Sequence, residues 1–203
     1  MARIALIGAS GNIGSRVLAE ALSRGHTVIG IVRHPEKLTP QANFQIVPGD
    51  IANPGELAKQ LRGAEVVVAS VRWTDNAQQL LQAVRESGVT RLLAVVGAGS
   101  LLASPGVRVL DTPEFPAAWR PGAEAAARAL DTLRTESAID WVAVSPSWNI
   151  APGQRTAKFR VGADQLLREA GGESRISRED FAVAIVDEIE RPAHHRERIT
   201  VGY

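Results

Sequence analysis

The stretch Ile4-Ala5-Leu6-Ile7-Gly8-Ala9-Ser10-Gly11-Asn12-Ile13-Gly14 decides how the rest of the chain is read. Ile4 to Ile7 form a short apolar run suited to a buried strand, and glycines follow at 8, 11 and 14, just where a helical pattern begins. Gly8 lets the chain turn sharply out of the strand. Gly11 leaves the backbone bare where a pyrophosphate must approach, and Gly14 allows the helix to pack closely on the sheet. The start of that helix presents unpaired N–H groups and the positive end of its dipole to an anion. This is the pattern of a dinucleotide site, with Ser10, Asn12 and Ile13 completing the loop.

The helix behind the loop is expected over Asn12–Arg24, closed by Gly25, with a second strand over Thr27–Val32. Some 20 residues after such a motif, an acidic side chain binds the ribose 2′-hydroxyl of NAD, whereas an arginine suits the 2′-phosphate of NADP. Arg33 takes this place, with His34 and Lys37 behind it and no acid before Glu36. A guanidinium pairs with phosphate through two hydrogen bonds and stacks on adenine. NADP(H) is therefore favoured over NAD(H).

Strands and helices then alternate. Phe44–Val47 reads as a third strand, leading to Pro48-Gly49-Asp50. A helix starts at Asn53, with Pro54 in its first turn and Glu56 spaced as in a capping box. Glu65–Ala69 is a fourth strand, Trp73–Ser87 a helix closed by Gly88, and Leu92–Val96 a fifth strand. Further on, a helix over Ala123–Glu136 leads to strand Trp141–Ser145, and a helix over Arg178–Glu190, capped by Ser177 with Asp180 three residues on, leads to Arg198–Val201. Nearly continuous apolar strands separated by helices predict a parallel α/β sheet covered on both faces, a Rossmann-like doubly wound fold over residues 1–203 as one domain. The expected order is 3-2-1-4-5-6, with room for a seventh strand from the C-terminal segment. Pro, Gly, Arg and Trp gather between residues 97 and 175, which makes this region the expected substrate side.

Bulk properties narrow the function. The chain has 203 residues, 45% of them apolar, and a net charge of +1, which offers no general attraction to nucleic acid or membrane. The absence of cysteine excludes disulfides and thiolate chemistry. His194-His195 is read as surface rather than as half a metal site. A strand at the very start leaves no room for a signal peptide, no apolar run is long enough to span a bilayer, and the cytoplasm is the expected compartment.

Ligands of open parallel sheets bind outside the carboxyl ends of the strands. The residues at those exits are Asp50 and Ile51, then Ala69, Ser70 and Val71, then Gly97 to Ser100, and finally Ser145-Pro146-Ser147-Trp148. Together they suit one extended dinucleotide. Asp50 is read either as an acceptor for the adenine amino group or as a turn cap, Gly97 and Pro146 as backbone contacts, and Ser100 as a polar contact and weak catalytic candidate.

Several of these segments carry a resemblance. GASGNIG (8–14), Arg33, GDIAN (49–53), VVGAGSL ending at Leu101, GQRTAKFRVG (153–162), RISREDFA (175–182), DEIERP (187–192) and the final TVGY are similar to the atypical short-chain dehydrogenase/reductase group. More narrowly they resemble the NADH-flavin-reductase-like proteins, relatives of the NmrA-like and biliverdin/flavin reductase proteins. The resemblance implies an NAD(P)H-dependent reductase. Conventional members of the wider group protonate an alkoxide with a Tyr-x-x-x-Lys pair, but this chain has one tyrosine, Tyr203, and lysines only at 37, 59 and 158. Without that acid, carbonyl substrates are disfavoured. A flavin or quinone-like acceptor asks only that two rings be stacked and oriented, with water supplying the proton. Trp73, Trp119, Trp148 and Phe115 are the aromatic candidates, each with a packing role as the alternative, and Trp141 is read as core. Arg155 and Lys158 are candidates for a flavin phosphate, against a salt-bridged loop. The expected partner is a small aromatic acceptor, and a homodimer stays open. The rival reading is an NmrA-like regulatory protein that senses dinucleotide without turnover.

Overall fold

Ile4, Ala5 and Leu6 are all fully shielded from solvent although successive side chains point to opposite faces of a strand, so the sheet must be covered on two sides. The computed structural model describes residues 1–203 and meets that requirement. In chain order it forms β1 (Arg3–Ile7), α1 (Gly14–Ser23), β2 (Thr27–Val32), β3 (Phe44–Pro48), α2 (Pro54–Leu61), β4 (Val66–Ala69), α3 (Ala77–Ser87), β5 (Arg91–Val95), β6 (Leu102–Ser104), β7 (Val107–Arg108) and α4 (Arg120–Arg134). There follow β8 (Asp140–Pro146), β9 (Asn149–Ala151), β10 (Arg160–Gly162), β11 (Arg175–Ser177), α5 (Arg178–Glu190) and β12 (Glu197–Gly202).

Eight strands make one sheet in the order β10-β12-β8-β5-β4-β1-β2-β3. All neighbours run parallel except β10, which lies antiparallel on β12. The expected doubly wound order is present, with β12 as the seventh strand. Ala5, Ile7, Ile29 and Ile31 face one core of 28 buried residues beneath α2, α3 and α4. Ile4, Leu6, Val28 and Val32 face a second core of 23 beneath α1 and α5.

Two expectations need correction. The helix expected from Trp73 begins at Ala77, and Trp73 is instead tucked into the core, its indole N–H donating to the Val95 carbonyl at 2.8 Å. The capping box at α2 does not form: Asn53 makes no side-chain cap, and Glu56 turns to Lys59 at 3.0 Å. One strand was not expected at all: the edge strand β10 lies in the run 153–162, where Ala157, Phe159 and Val161 alternate with Lys158 and Arg160, and it pairs over three residues only.

The cap at α5 does form, with the Asp180 N–H donating to Ser177 Oγ at 2.9 Å. Asp180 itself is fully buried and gathers the end of the fold around its carboxylate. It accepts from the N–H groups of Thr156 and Ala157, each at 2.7 Å, from Thr156 Oγ1 at 2.6 Å and from the Tyr203 hydroxyl at 2.7 Å. Burial pushes this carboxyl up, yet the donors on Thr156, Tyr203 and Ala157 outweigh it and hold it below the usual aspartate range. A carboxyl depressed in the folded state contributes stability that is present above its unfolded value, about pH 4, and is lost as pH falls through the folded value. Replacing Asp180 with Ala leaves buried donors without an acceptor and is expected to cost about 3 kcal/mol in urea unfolding at neutral pH. Asp180→Asn should flatten the acid side of the stability profile relative to wild type.

Candidate functional site

The carboxyl ends of β1 and β4 meet where the chain order of the sheet reverses, and here the glycines decide what fits. Gly8 has φ +86°, and a Cβ on it would stand 2.1 Å from the Ser70 carbonyl oxygen. A Cβ on Gly14 would stand 2.1 Å from the Gly8 carbonyl oxygen, so the start of α1 lies directly against the turn. At Gly11 the nearest atom would be 3.2 Å away, and its φ is ordinary. The first two glycines are demanded by the fold; Gly11 is demanded far less by the protein's own packing.

The turn is held by the Gly8 N–H on the Ile31 carbonyl, the Gly11 N–H on Gly8 and the Ser15 N–H on Gly11, each at 2.9 Å. The N–H groups of Asn12, Ile13 and Gly14 find no acceptor in the chain, and no side chain caps the helix. Ser10 and Asn12 are exposed and Ile13 packs on the core below. Bare backbone, free amides and the positive end of α1 converge on one point, a cradle that fits a pyrophosphate.

Arg33 follows β2 directly and is exposed, with no hydrogen bond or ion pair to any residue. Glu36 turns instead to His34, at 3.3 Å. Asp50 takes the turn-cap role, accepting from the Ala52 N–H at 3.0 Å, and Ile51 is buried beside it. Ala69 is buried, while Ser70 and Val71 are half-buried at the exit of β4. The Gly97 carbonyl accepts from Ser145 Oγ at 3.3 Å, and Pro146 ends β8 paired in register with Val201. These exits stand side by side across β2, β1, β4, β5 and β8, as a long ligand laid over the sheet edge requires.

The proposed acceptor contacts divide. Trp73 is excluded by its burial in the core. Arg155 is excluded as a free phosphate ligand because both its prongs reach Glu20, at 2.7 Å each. The Arg155 guanidinium, with Arg24 beside it, holds the Glu20 carboxyl below its usual range despite burial. Trp119 is 60% exposed ahead of α4, and Trp148 is half-buried with Phe115 edge-on at 5.5 Å. Ser100 Oγ accepts from Arg198 at 2.9 Å, a polar contact that orients the hydroxyl. His194 and His195 lie at the opposite, amino end of the strands, paired with Glu188 at 2.7 Å and Asp140 at 2.9 Å. Arg91 binds both of those carboxylates at 2.6 Å.

A family model described as NAD(P)H-binding matches residues 8–192, from the first glycine of the cradle to the end of α5. The chain belongs to this NAD(P)H-binding family. Among its relatives, the uncharacterized Bacillus subtilis protein YwnB is 35% identical, over 98% of this chain and 97% of its own. A candidate epimerase from Bacteroides thetaiotaomicron shares the structure at TM-score 0.95 and 40% identity, over 100% of this chain and 97% of that one. A candidate NADH-flavin reductase from Streptococcus pneumoniae follows at TM-score 0.88 and 30% identity, over 100% and 99%. The Rossmann-like fold and the resemblance to the atypical reductase group are thereby borne out. The names of these relatives point to different reactions, so the family fixes the cofactor class and leaves the reaction open.

In this NAD(P)H-binding chain the expected substrate side, residues 97–175, holds a cavity of which sequence reading named only Trp148. Segments 103–114, 148–149 and 166–175 enclose a cavity of about 560 Å³, and next to it a hollow of about 620 Å³ is lined by Lys158 and Tyr203 among others. The lone tyrosine and a lysine thus share a wall, but the phenol is committed to Asp180. Only the long connections after β8 bring these residues together, and no spacing in the sequence marks them. Because Gly11 is the cradle glycine with most room on the protein side, Gly11→Val should fold like wild type by circular dichroism. Its side chain would occupy the space above the free amides and weaken dinucleotide binding by about 100-fold in calorimetric titration.

Proposed function

We propose that the protein is an NADPH-dependent reductase that passes a hydride to a flavin or quinone-like acceptor. The observation that carries this reading is Arg33, an exposed guanidinium without a partner at the exit of β2, next to the glycine cradle and where an NAD site would place an acid. In the proposed site, the amides of Asn12 to Gly14 take the pyrophosphate and Arg33 takes the 2′-phosphate through a two-pronged contact. Backbone groups at Gly97 and Pro146 orient the nicotinamide end over β5 and β8.

When bound, the reduced nicotinamide supplies the hydride. The one phenol near the exits, Tyr203, donates to Asp180, and Ser100 is an alcohol with no general base on it, which disfavours substrates that need a proton delivered to a developing oxyanion. An isoalloxazine or quinone spreads the added electron pair over its ring system and takes its proton from water. Epimerisation, which the name of the Bacteroides relative suggests, calls for a proton-transferring group that this site does not offer free. The same lack of a free acid favours the second reading, a dinucleotide sensor of the NmrA-like kind with little turnover.

The deciding measurement is anaerobic bleaching of FMN, riboflavin and a simple quinone with NADPH and with NADH. Wild type should bleach an acceptor faster with NADPH, and Arg33→Glu should lower kcat/KM for NADPH by about tenfold or more while changing NADH little. Tight NADPH binding with no acceptor reduced above the uncatalysed rate would replace the reductase reading with the sensor.

A further inference from the structure

The cavity of about 560 Å³ between the connection 103–114 and the segments after β8 falls within the range of small-molecule sites, about 300–1,000 Å³. Trp148, Val109 and Leu166 give it an apolar lining, and the Trp148 ring is fixed from behind by Phe115, edge-on with an interplanar angle of 90°. A rigid, half-exposed indole in an apolar hollow suits a flat aromatic ring. The polar lining is unequal. Arg175 is already neutralised by Glu169 at 2.6 Å and Glu173 at 3.5 Å. Arg168 has no carboxylate partner: its guanidinium donates to the Gly172 carbonyl at 2.9 Å, which fixes its direction and leaves further N–H groups free. Glu114, also on the lining, has no cationic partner.

We infer that this cavity is a binding site for a planar aromatic acceptor that carries an anionic arm, with the ring on Trp148 and the arm on Arg168. Glu114 opposes the negative charge and sets how strongly the anion is preferred. Arg155, a sequence candidate for a flavin phosphate, is bound to Glu20, and Arg168 takes that role from a loop whose approach to Trp148 only the folded chain creates. As an acceptor site the inference rests on the reductase reading; as a binding site it does not.

The test is equilibrium quenching of flavin fluorescence with NADP+ saturating, so that the dinucleotide cradle is filled, using FMN and riboflavin as probes. Both carry the same ring, and only FMN carries a phosphate. Wild type should bind FMN about tenfold more tightly than riboflavin, Arg168→Gln should bring FMN down to the riboflavin level, and Glu114→Gln should tighten FMN alone. Equal affinities for the two flavins, no binding of either, or an Arg168→Gln variant that leaves the FMN preference intact would each overturn the inference. Both side chains are exposed, so neither change threatens the fold. Bleaching by NADPH, measured on the same samples, separates the two proposals. An FMN preference that depends on Arg168 without bleaching upholds the site and removes the reductase reading, while bleaching without any preference does the reverse.

Discussion

The constraint on which the fold and its cradle both depend is the contact of Gly8, Gly14 and Ser70, where three backbones meet with no space for a methyl group. Because a Cβ on Gly8 or Gly14 would stand 2.1 Å from a carbonyl oxygen, the turn out of β1 can lie flat against β4 only if both positions stay bare. That closeness points the start of α1 outward with its first amides unsatisfied. The same packing that completes the sheet therefore creates the anion cradle. Stability and cofactor chemistry draw here on one geometric fact.

From this point the sheet spreads in two directions with different tasks. Toward β2 and β3 it ends at Arg33 and Asp50, short exits held by local turns. Toward β8 and β12 the connections lengthen, and a second, polar organising centre takes over at Asp180. Its carboxylate joins the loop around Thr156, the first turn of α5 and the C-terminal tyrosine, segments far apart in sequence. Ala157 adopts φ 55° in this loop, a conformation costly for alanine that the donated N–H offsets. The charge is tolerated inside because every approach to it is a hydrogen-bond donor.

Much of this was legible beforehand where local chemistry and final role coincide. The strands Thr27–Val32 and Leu92–Val96, the glycine loop and the Ser177 cap follow from patterns a few residues long, and neighbouring strands in a parallel sheet inherit their order from the right-handed crossover. The failures share a cause. Trp73 reads in sequence as the start of a helix, with stacking and packing both open, yet the segment 70–76 forms no helix, and burial takes the indole. For Arg155 the salt-bridged alternative is the one that forms, but its partner Glu20 lies on α1, too far away in the chain for sequence to name.

The sequence by itself determined the strand-and-helix alternation, the cradle at residues 8–14 and the cationic exit at Arg33, because each is marked by residue types a few positions apart. Tertiary structure alone decided which arginines are paired and which remain available, which tryptophan faces a cavity, and that the last residue helps to hold a buried carboxylate. Those outcomes depend on long-range approach. A side chain's free charge or free face is what remains after distant segments have made their contacts, and no local pattern records that remainder.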